Sequence, residues 1–386
     1  MNEVCIVAAR RTPIGRFLGA LSGESAVDLG VHASRAVLDG LPGGRVGQVI
    51  FGNVLSAGLG MNVARQIGIG AGLPVTTPAF TVNTMCGSGM QAVLLAYQAI
   101  CSGETDVVLC GGTESMSNAP HLLQRSRTGI KLGNATLADS LLSDGLLDAF
   151  SGDHMALTAE QLAVEYNVTR REQDGYAALS QQRYSTAFNA GVFECEVAAH
   201  DSLKEDEHPR PEATAEQLAD LKPVFVRDGT GTVTAGNASG VNDGAVAIVL
   251  AHRQVAESED WPILATMTGG CIVGCDPQKM GLGPVHAVRR VCREQAVPIE
   301  AFDAIEINEA FAVQTLACLN ELQLSSDAVN TCGGAIALGH PIGATGARIV
   351  AHLAHRIHNG ESGHAIGSLC IGGGMGAAVT LSSAPS

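Results

Sequence analysis

The chain has 386 residues, 46% hydrophobic and 16% charged, enough for two or three packed units with large cores. Its net charge of −15 argues against duplex nucleic acid or an anionic membrane as a partner, and an anionic substrate would need local basic residues. Eleven scattered cysteines without a C-x-x-C pair argue against a disulfide framework or a zinc site and fit a reducing compartment.

Residues 1–9 enter directly into a strand pattern, with no basic n-region or apolar h-region. No uninterrupted apolar run reaches about eighteen residues, so the expectation is a cytoplasmic protein without a membrane span. Residues 4–9 read as a buried strand and 26–38 as a helix closed by Gly40. A second strand, 48–51, runs into Gly52-Asn53, and 62–69 read as a helix. Residues 78–83 are strand-like, and apolar positions 90, 93, 94 and 97 mark the helix that follows. The strand 107–110 ends in Gly111-Gly112-Thr113-Glu114. This alternation predicts an α/β fold with a largely parallel sheet covered by helices.

The last third repeats the plan. Residues 263–267, 304–307 and 366–369 read as strands, and 284–294, 311–322 and 347–355 as helices. Val329-Asn330-Thr331 echoes Val82-Asn83-Thr84, and the closing strand 376–381 echoes 244–250. The reading is an internal duplication. The first copy pauses near Glu114 and resumes near Asp243. The intervening stretch carries helices at about 158–164 and 170–191 and a charged run at 204–211. An insertion of that size over a sheet points to a lid or binding domain. The expected division is 1–115 with 241–260, an inserted 116–240, and 261–386.

Between the strand at 78–83 and its helix lies Cys86-Gly87-Ser88-Gly89. A thiol at a helix start meets free N–H groups and the positive end of the dipole, and the expectation is easier ionisation to the nucleophilic thiolate. The plain alternative is a small buried hydrophobe. Three further loops converge at the same sheet end in this layout. Gly339-His340-Pro341-Ile342-Gly343 holds a histidine in a tight turn, the usual base for a cysteine. Asn308-Glu309-Ala310-Phe311 offers an amide to orient water or an oxyanion, or else a helix N-cap. Cys370-Ile371-Gly372-Gly373-Gly374 offers an anion-binding nest and a second thiol able to pass a proton.

These motifs, with Asn83-Thr84-Met85 before Cys86 and Gly333 to Gly339 before His340, resemble those of the thiolases of the acetyl-CoA acetyltransferase type, in the same order and over essentially the whole chain. The resemblance implies a five-layered duplicated α/β fold with an inserted loop domain over the active site. It also implies a reversible ping-pong Claisen condensation of two acetyl-CoA to acetoacetyl-CoA and CoA, with no cofactor or metal beyond the CoA substrates. Cys86 would carry the acyl group as a thioester. His340 would activate it and, with a water fixed by Asn308, hold the second substrate's thioester oxygen. Cys370 would remove the α-proton, and the N–H groups of Cys86 and Gly372 would form the acyl-enzyme oxyanion hole. His154, Met155 and Ser239 match pantetheine contacts, Leu146 and Phe311 wall positions, and Arg210 an arginine on the nucleotide side of CoA. His154 as a cap, and Arg210 paired with the acidic residues at 205–207, are the plain alternatives. Residues 122–133 resemble the loop that joins dimers into tetramers, so a homotetramer is expected, with a dimer as the second expectation.

Two departures stand out. Cys332 replaces the family's usual asparagine in the loop that leads to His340, and the stretch from Phe193 to Thr230 is short. 3-Ketoacyl-CoA and β-ketoadipyl-CoA thiolases carry the same four motifs. A ketoacyl synthase would place a second histidine where Cys370 stands. The G-x-G-x-x-A match at residues 87–92 lacks the acidic partner of a dinucleotide fold. A non-catalytic lipid-binding relative would be expected to lose Cys86 or His340.

Overall fold

β-Branched and small apolar residues dominate the segments that form the centre of the molecule. The computed structural model describes residues 3–41 and 43–383; the outermost ends of the expected first and last segments, 1–2 and 384–386, lie outside the described residues. The first half contains β1 (Val4–Arg11), the two-residue β2 (Gly15–Arg16), α1 (Ala26–Leu38), β3 (Gln48–Gly52), α2 (Val63–Gly70), β4 (Ala79–Val82), α3 (Ser88–Cys101) and β5 (Val107–Ser115). A short ribbon of β6 (His121–Leu122) and β7 (Ala138–Asp139) follows, then α4 (Met155–Glu165), α5 (Arg170–Asn189) and α6 (Ala215–Ala219). The chain returns to the sheet with β8 (Asn242–His252) and α7 (Arg253–Ser258). The last part contains β9 (Ala265–Gly274), α8 (Gly283–Gln295), β10 (Ala304–Ile307), α9 (Ala312–Leu322), α10 (Ala335–Leu338), α11 (Ile342–His358), β11 (His364–Ile371) and β12 (Met375–Ser382). Starts are chemically marked: Ser25 with Asp28, and Thr169 with Glu172, form capping boxes on α1 and α5.

The strands run in the order β10-β11-β12-β9-β1-β8-β5-β3-β4. The order within each half is the same, because Val329 bridges parallel to Ile305 of β10, as β4 does to β3. The duplicated fold is therefore visible strand by strand. The expectation of a largely parallel sheet is corrected. Only β3–β4, β3–β5 and β10–β11 are parallel, and the other five neighbouring pairs are antiparallel. The reason lies in the connections: β11 turns straight into β12 through Gly372-Gly373-Gly374, and so short a turn permits only antiparallel pairing.

Helices and strands stack in five layers. α1 and α2 pack on the outer face of the first half through Leu29, Val37, Ile67, Phe51 and Val249. α8 and α9 cover the second through Val285, Val291, Val313, Ile307 and Ile366. Between the halves, α3 and α11 share one core with inward residues of both, among them Ile6, Ile50, Met90, Ile349, Leu369 and Val379. Arg11, at the end of β1, ties the intervening region down. Its Nε donates to Glu196 (2.7 Å) and its Nη atoms donate to Asp206 (2.6 and 3.0 Å). Part of the charged run is thus a buried ion network.

Glycines moved several boundaries. β9 continues through Gly269-Gly270 to Gly274, and α11 starts at Ile342 rather than at 347. Gly343 and Gly346 look like helix breakers, but they are contact sites. A Cβ on Gly346 would stand 2.5 Å from the backbone nitrogen of Met90, and one on Gly89 2.8 Å from that of Ala347. α3 and α11 therefore meet backbone to backbone. Gly346→Ala should cost about 1–3 kcal/mol, read as a lower urea midpoint with unchanged slope. A wild-type midpoint would contradict that close approach.

Candidate active site

The chain enters α3 through a strained turn. Met85 has φ +47°, an uncommon conformation for a side chain of this size. Ser88 holds the turn, its Oγ accepting from Thr84 N–H (2.9 Å) and donating to Met85 O (2.6 Å). This presents Cys86, 7% exposed, just before the helix. Its sulfur accepts from its own N–H and from that of Gly372. Burial nevertheless outweighs both bonds and pushes the thiol up to about 11, with Glu114 adding to the rise. The expectation of easier ionisation is corrected: in so dry a place two N–H groups do not offset desolvation, and the resting group is the neutral thiol.

His340 is also buried and neutral. Burial, reinforced by the charge of Arg348, holds its pKa down at about 4. Its Nδ1 lies 2.7 Å from Thr345 Oγ1, and that hydroxyl donates its one proton to Pro341 O (2.9 Å). Nδ1 is therefore the protonated nitrogen. Nε2 keeps its lone pair and has no partner among the described residues. The backbone N–H of His340 donates to Asn242 Oδ1 (2.9 Å), and Asn242 Nδ2 donates to Gly15 O (2.9 Å).

Asn308 follows β10 and is 1% exposed. It is not a helix cap, since α9 starts at Ala312 after Phe311. Neither polar atom of its side chain has a partner among the described residues, a costly arrangement unless a bound group or water uses it. Cys370 is 2% exposed, in β11, and burial raises its pKa well above that of an ordinary thiol, with Cys86 as a further cause.

Eight of the residues singled out from sequence line one cavity of about 220 Å³: Cys86, Leu146, His154, Met155, Ser239, Phe311, His340 and Cys370. The remaining wall is mostly apolar, with Met116, Phe225, Val241, Met280 and Ile342, and contains no lysine or arginine. Gly372 is not in the wall, but its N–H reaches the Cys86 sulfur. Asn308 lies two residues before Ala310, which is in the wall. Arg210 is not brought to the cavity. It is exposed, and its backbone N–H donates to Gln181 Oε1 (2.8 Å). Nor does it pair with the acidic run: Asp206 takes Arg11 and Glu207 takes Arg16. His154 is both cap and wall. Its Nδ1 accepts from Ala156 N–H (3.1 Å), its ring stacks on Phe225 at 4.2 Å, and burial lowers its pKa.

Sequence reasoning missed the supports. Glu309, named only as part of a motif, is buried. It accepts from Tyr176, Ser180, Asn330 and the N–H of Ile336. Asn330 also exchanges hydrogen bonds with the backbone of Ile307. These groups carry the loop that leads to His340, while Cys332 packs among Tyr184, Phe193 and Leu338. The available signal was a polar residue inside an apolar run, which is rarely idle.

Comparison with known proteins agrees with this geometry. The thiolase N-terminal domain model matches residues 4–254 and the thiolase C-terminal domain model residues 261–383. The chain is 47% identical to acetyl-CoA acetyltransferase of Chromobacterium violaceum, over 98% of this chain and 99% of that one. It is 44% identical to human mitochondrial 3-ketoacyl-CoA thiolase, over 99% of each. The crystal structure of the human mitochondrial enzyme in complex with CoA superposes with a TM-score of 0.96 at 44% identity, covering 100% of this chain and 98% of that one. The acetyl-CoA acetyltransferase of Bacillus anthracis gives 0.96 at 38% identity, covering 100% and 99%.

The two neutral partners set a pH signature. Alkylation of Cys86 by iodoacetamide should rise about tenfold per pH unit from 7 to 10, because the thiol stays protonated up to about 11. Peptide mapping after timed quenching measures it. A rate already level between pH 6 and 8 would mean a resting thiolate–imidazolium pair instead.

Proposed function

The chain belongs to the thiolase family of acyltransferases, and on that premise we propose that it interconverts two acetyl-CoA with acetoacetyl-CoA and CoA. The observation that carries this reading is the convergence of Cys86, Cys370 and His340, whose Nε2 has no partner among the described residues, on one apolar cavity.

In the proposed cycle the Cys86 sulfur attacks the acyl carbonyl and its proton passes to His340 Nε2. The N–H groups of Cys86 and Gly372 take the developing oxyanion. As the thioester forms, the departing CoA sulfur takes the proton of Cys370, leaving that residue a thiolate. A second acetyl-CoA then binds with its thioester oxygen toward His340 and a water held by Asn308. Cys370 removes the α-proton, the carbanion attacks the Cys86 thioester, and Cys86 recovers its proton from His340. A thiolate raised by burial is a strong base, which suits a weak C–H acid.

His154, Met155 and Ser239 are read as pantetheine contacts, and Leu146 and Phe311 as acyl walls. CoA and acyl-CoA are read as substrates, with no separate cofactor. Arg210, outside the cavity, is kept as a contact for the nucleotide end alone. The wall favours apolar acyl groups, and its methionines can accommodate a longer chain. That supports a second reading, thiolysis of longer 3-ketoacyl-CoA. A β-ketoadipyl group fits less well, because no cation in the wall would meet its carboxylate.

The proposed division is 1–115 with 241–260, an inserted 116–240 that forms the CoA lid, and 261–386. A homotetramer, as a dimer of dimers, is supported by two features. β4 is an edge strand with Phe80 exposed, and residues 122–133 present Leu123, Ile130 and Leu132 to solvent. A reducing cytoplasm suits cysteines that are all free among the described residues.

The reading predicts CoA-dependent loss of acetoacetyl-CoA, faster than that of a longer 3-ketoacyl-CoA. Cys86→Ala should reduce the rate by roughly 10³-fold or more. Turnover of the longer substrate alone would favour the second reading. No turnover dependent on Cys86 with either would refute both.

A further inference from the structure

Building on the proposed function, we propose that Glu114 is a positioning residue for the catalytic base, supplied by the first half of the fold to the second. Glu114 lies at the end of β5 and is fully buried. Four donors converge on its carboxylate. Oε1 accepts from Asn53 Nδ2 (2.8 Å) and Leu55 N–H (3.1 Å), and Oε2 from Val54 N–H (3.1 Å) and Gly343 N–H (3.0 Å). The last bond crosses between the halves. Gly343 is the second residue of α11, where N–H groups have no partner inside the helix. Pro341, at the cap position, offers no side-chain bond. Burial pushes the pKa of Glu114 up to about 7 against the pull of these bonds, and the group caps α11 from another element, facing the positive end of the helix dipole.

His340 stands one residue before that cap. The seat is tight: a Cβ on Gly343 would fall 2.6 Å from Glu114 Oε2 and 2.6 Å from Thr113 O, and one on Gly112 would fall 2.0 Å from Gly343 O. The end of β5 and the start of α11 are thus in backbone contact, and Glu114 is the hydrogen bond across it. With Asn242 holding the His340 N–H, two groups of the first half set where Nε2 points relative to Cys86. Glu114 touches no cavity space itself, so its effect on rate passes through His340.

The test is a double-mutant cycle on the full-length enzyme. Glu114→Gln keeps the shape but turns one acceptor into a donor facing N–H groups. It should lower kcat for acetoacetyl-CoA thiolysis by about 10²-fold, the cost of misplacing a reacting group by about an ångström, with KM within about twofold. In a His340→Asn background, where no base is left to position, the same change should alter the residual kcat for acetoacetyl-CoA thiolysis by less than about twofold. Should Glu114→Gln fail to fold by circular dichroism, Glu114→Asp, which keeps the charge but shortens the reach, enters the same cycle with a smaller expected loss. An unchanged kcat, or an equal loss with and without His340, would overturn the proposal. An inactive wild type would instead refute the functional reading on which it rests.

Discussion

The close packing of α3 against α11 is the constraint on which the rest depends. Each of these helices is the central helix of one half, and each begins next to a group of the proposed reaction: Cys86 before α3 and His340 before α11. Two ordinary helices keep their axes about 8–10 Å apart. Here glycines at 89 and 346 let backbone meet backbone, and the two N-termini open on one cavity. The duplication supplies two similar helix starts, and the glycines bring them together. Small residues rather than aromatics therefore dominate the centre of the molecule, which fits a chain with 47 glycines and 4% aromatic residues.

Burial of the site has an electrostatic consequence. Dryness holds the Cys86 thiol up at about 11 and the His340 imidazole down at about 4, so both partners rest uncharged. In the proposed cycle charge develops only when an acyl carbonyl arrives and accepts hydrogen bonds from the N–H groups of Cys86 and Gly372. A site of this kind places its donors before the reaction rather than storing a thiolate. It also leaves the side-chain amide of Asn308 buried and without a partner among the described residues, a cost in stability that makes sense beside a bound water or substrate.

Much of this was legible in sequence, for identifiable reasons. Cys86, His340 and Cys370 each stand beside a Gly-rich turn, and Asn308 directly follows a strand; such junctions mark themselves. The repeat was legible because Val-Asn-Thr occurs twice at the same point of the plan. Strand polarity was not, since alternation of strands and helices does not reveal that one strand of each half, β8 in the first and β12 in the second, runs against the others. The acidity of Cys86 was misjudged because a helix start was visible in sequence and the depth of burial was not. Arg210 was carried over from the family motif and lies outside the cavity wall. Glu114, Glu309 and Asn242 went unassigned because most of their partners lie far along the chain, so that the local pattern marks them as buried without naming what they hold.

The most direct measurement is to trap the intermediate. The enzyme is mixed with acetyl-CoA, quenched in acid and mapped by mass spectrometry. The account predicts an acetyl group on the peptide that contains Cys86, absent from that of Cys370 and discharged when CoA is added before the quench. An acetyl group on Cys370, or none on either cysteine, would contradict the assignment of Cys86 as nucleophile and Cys370 as base.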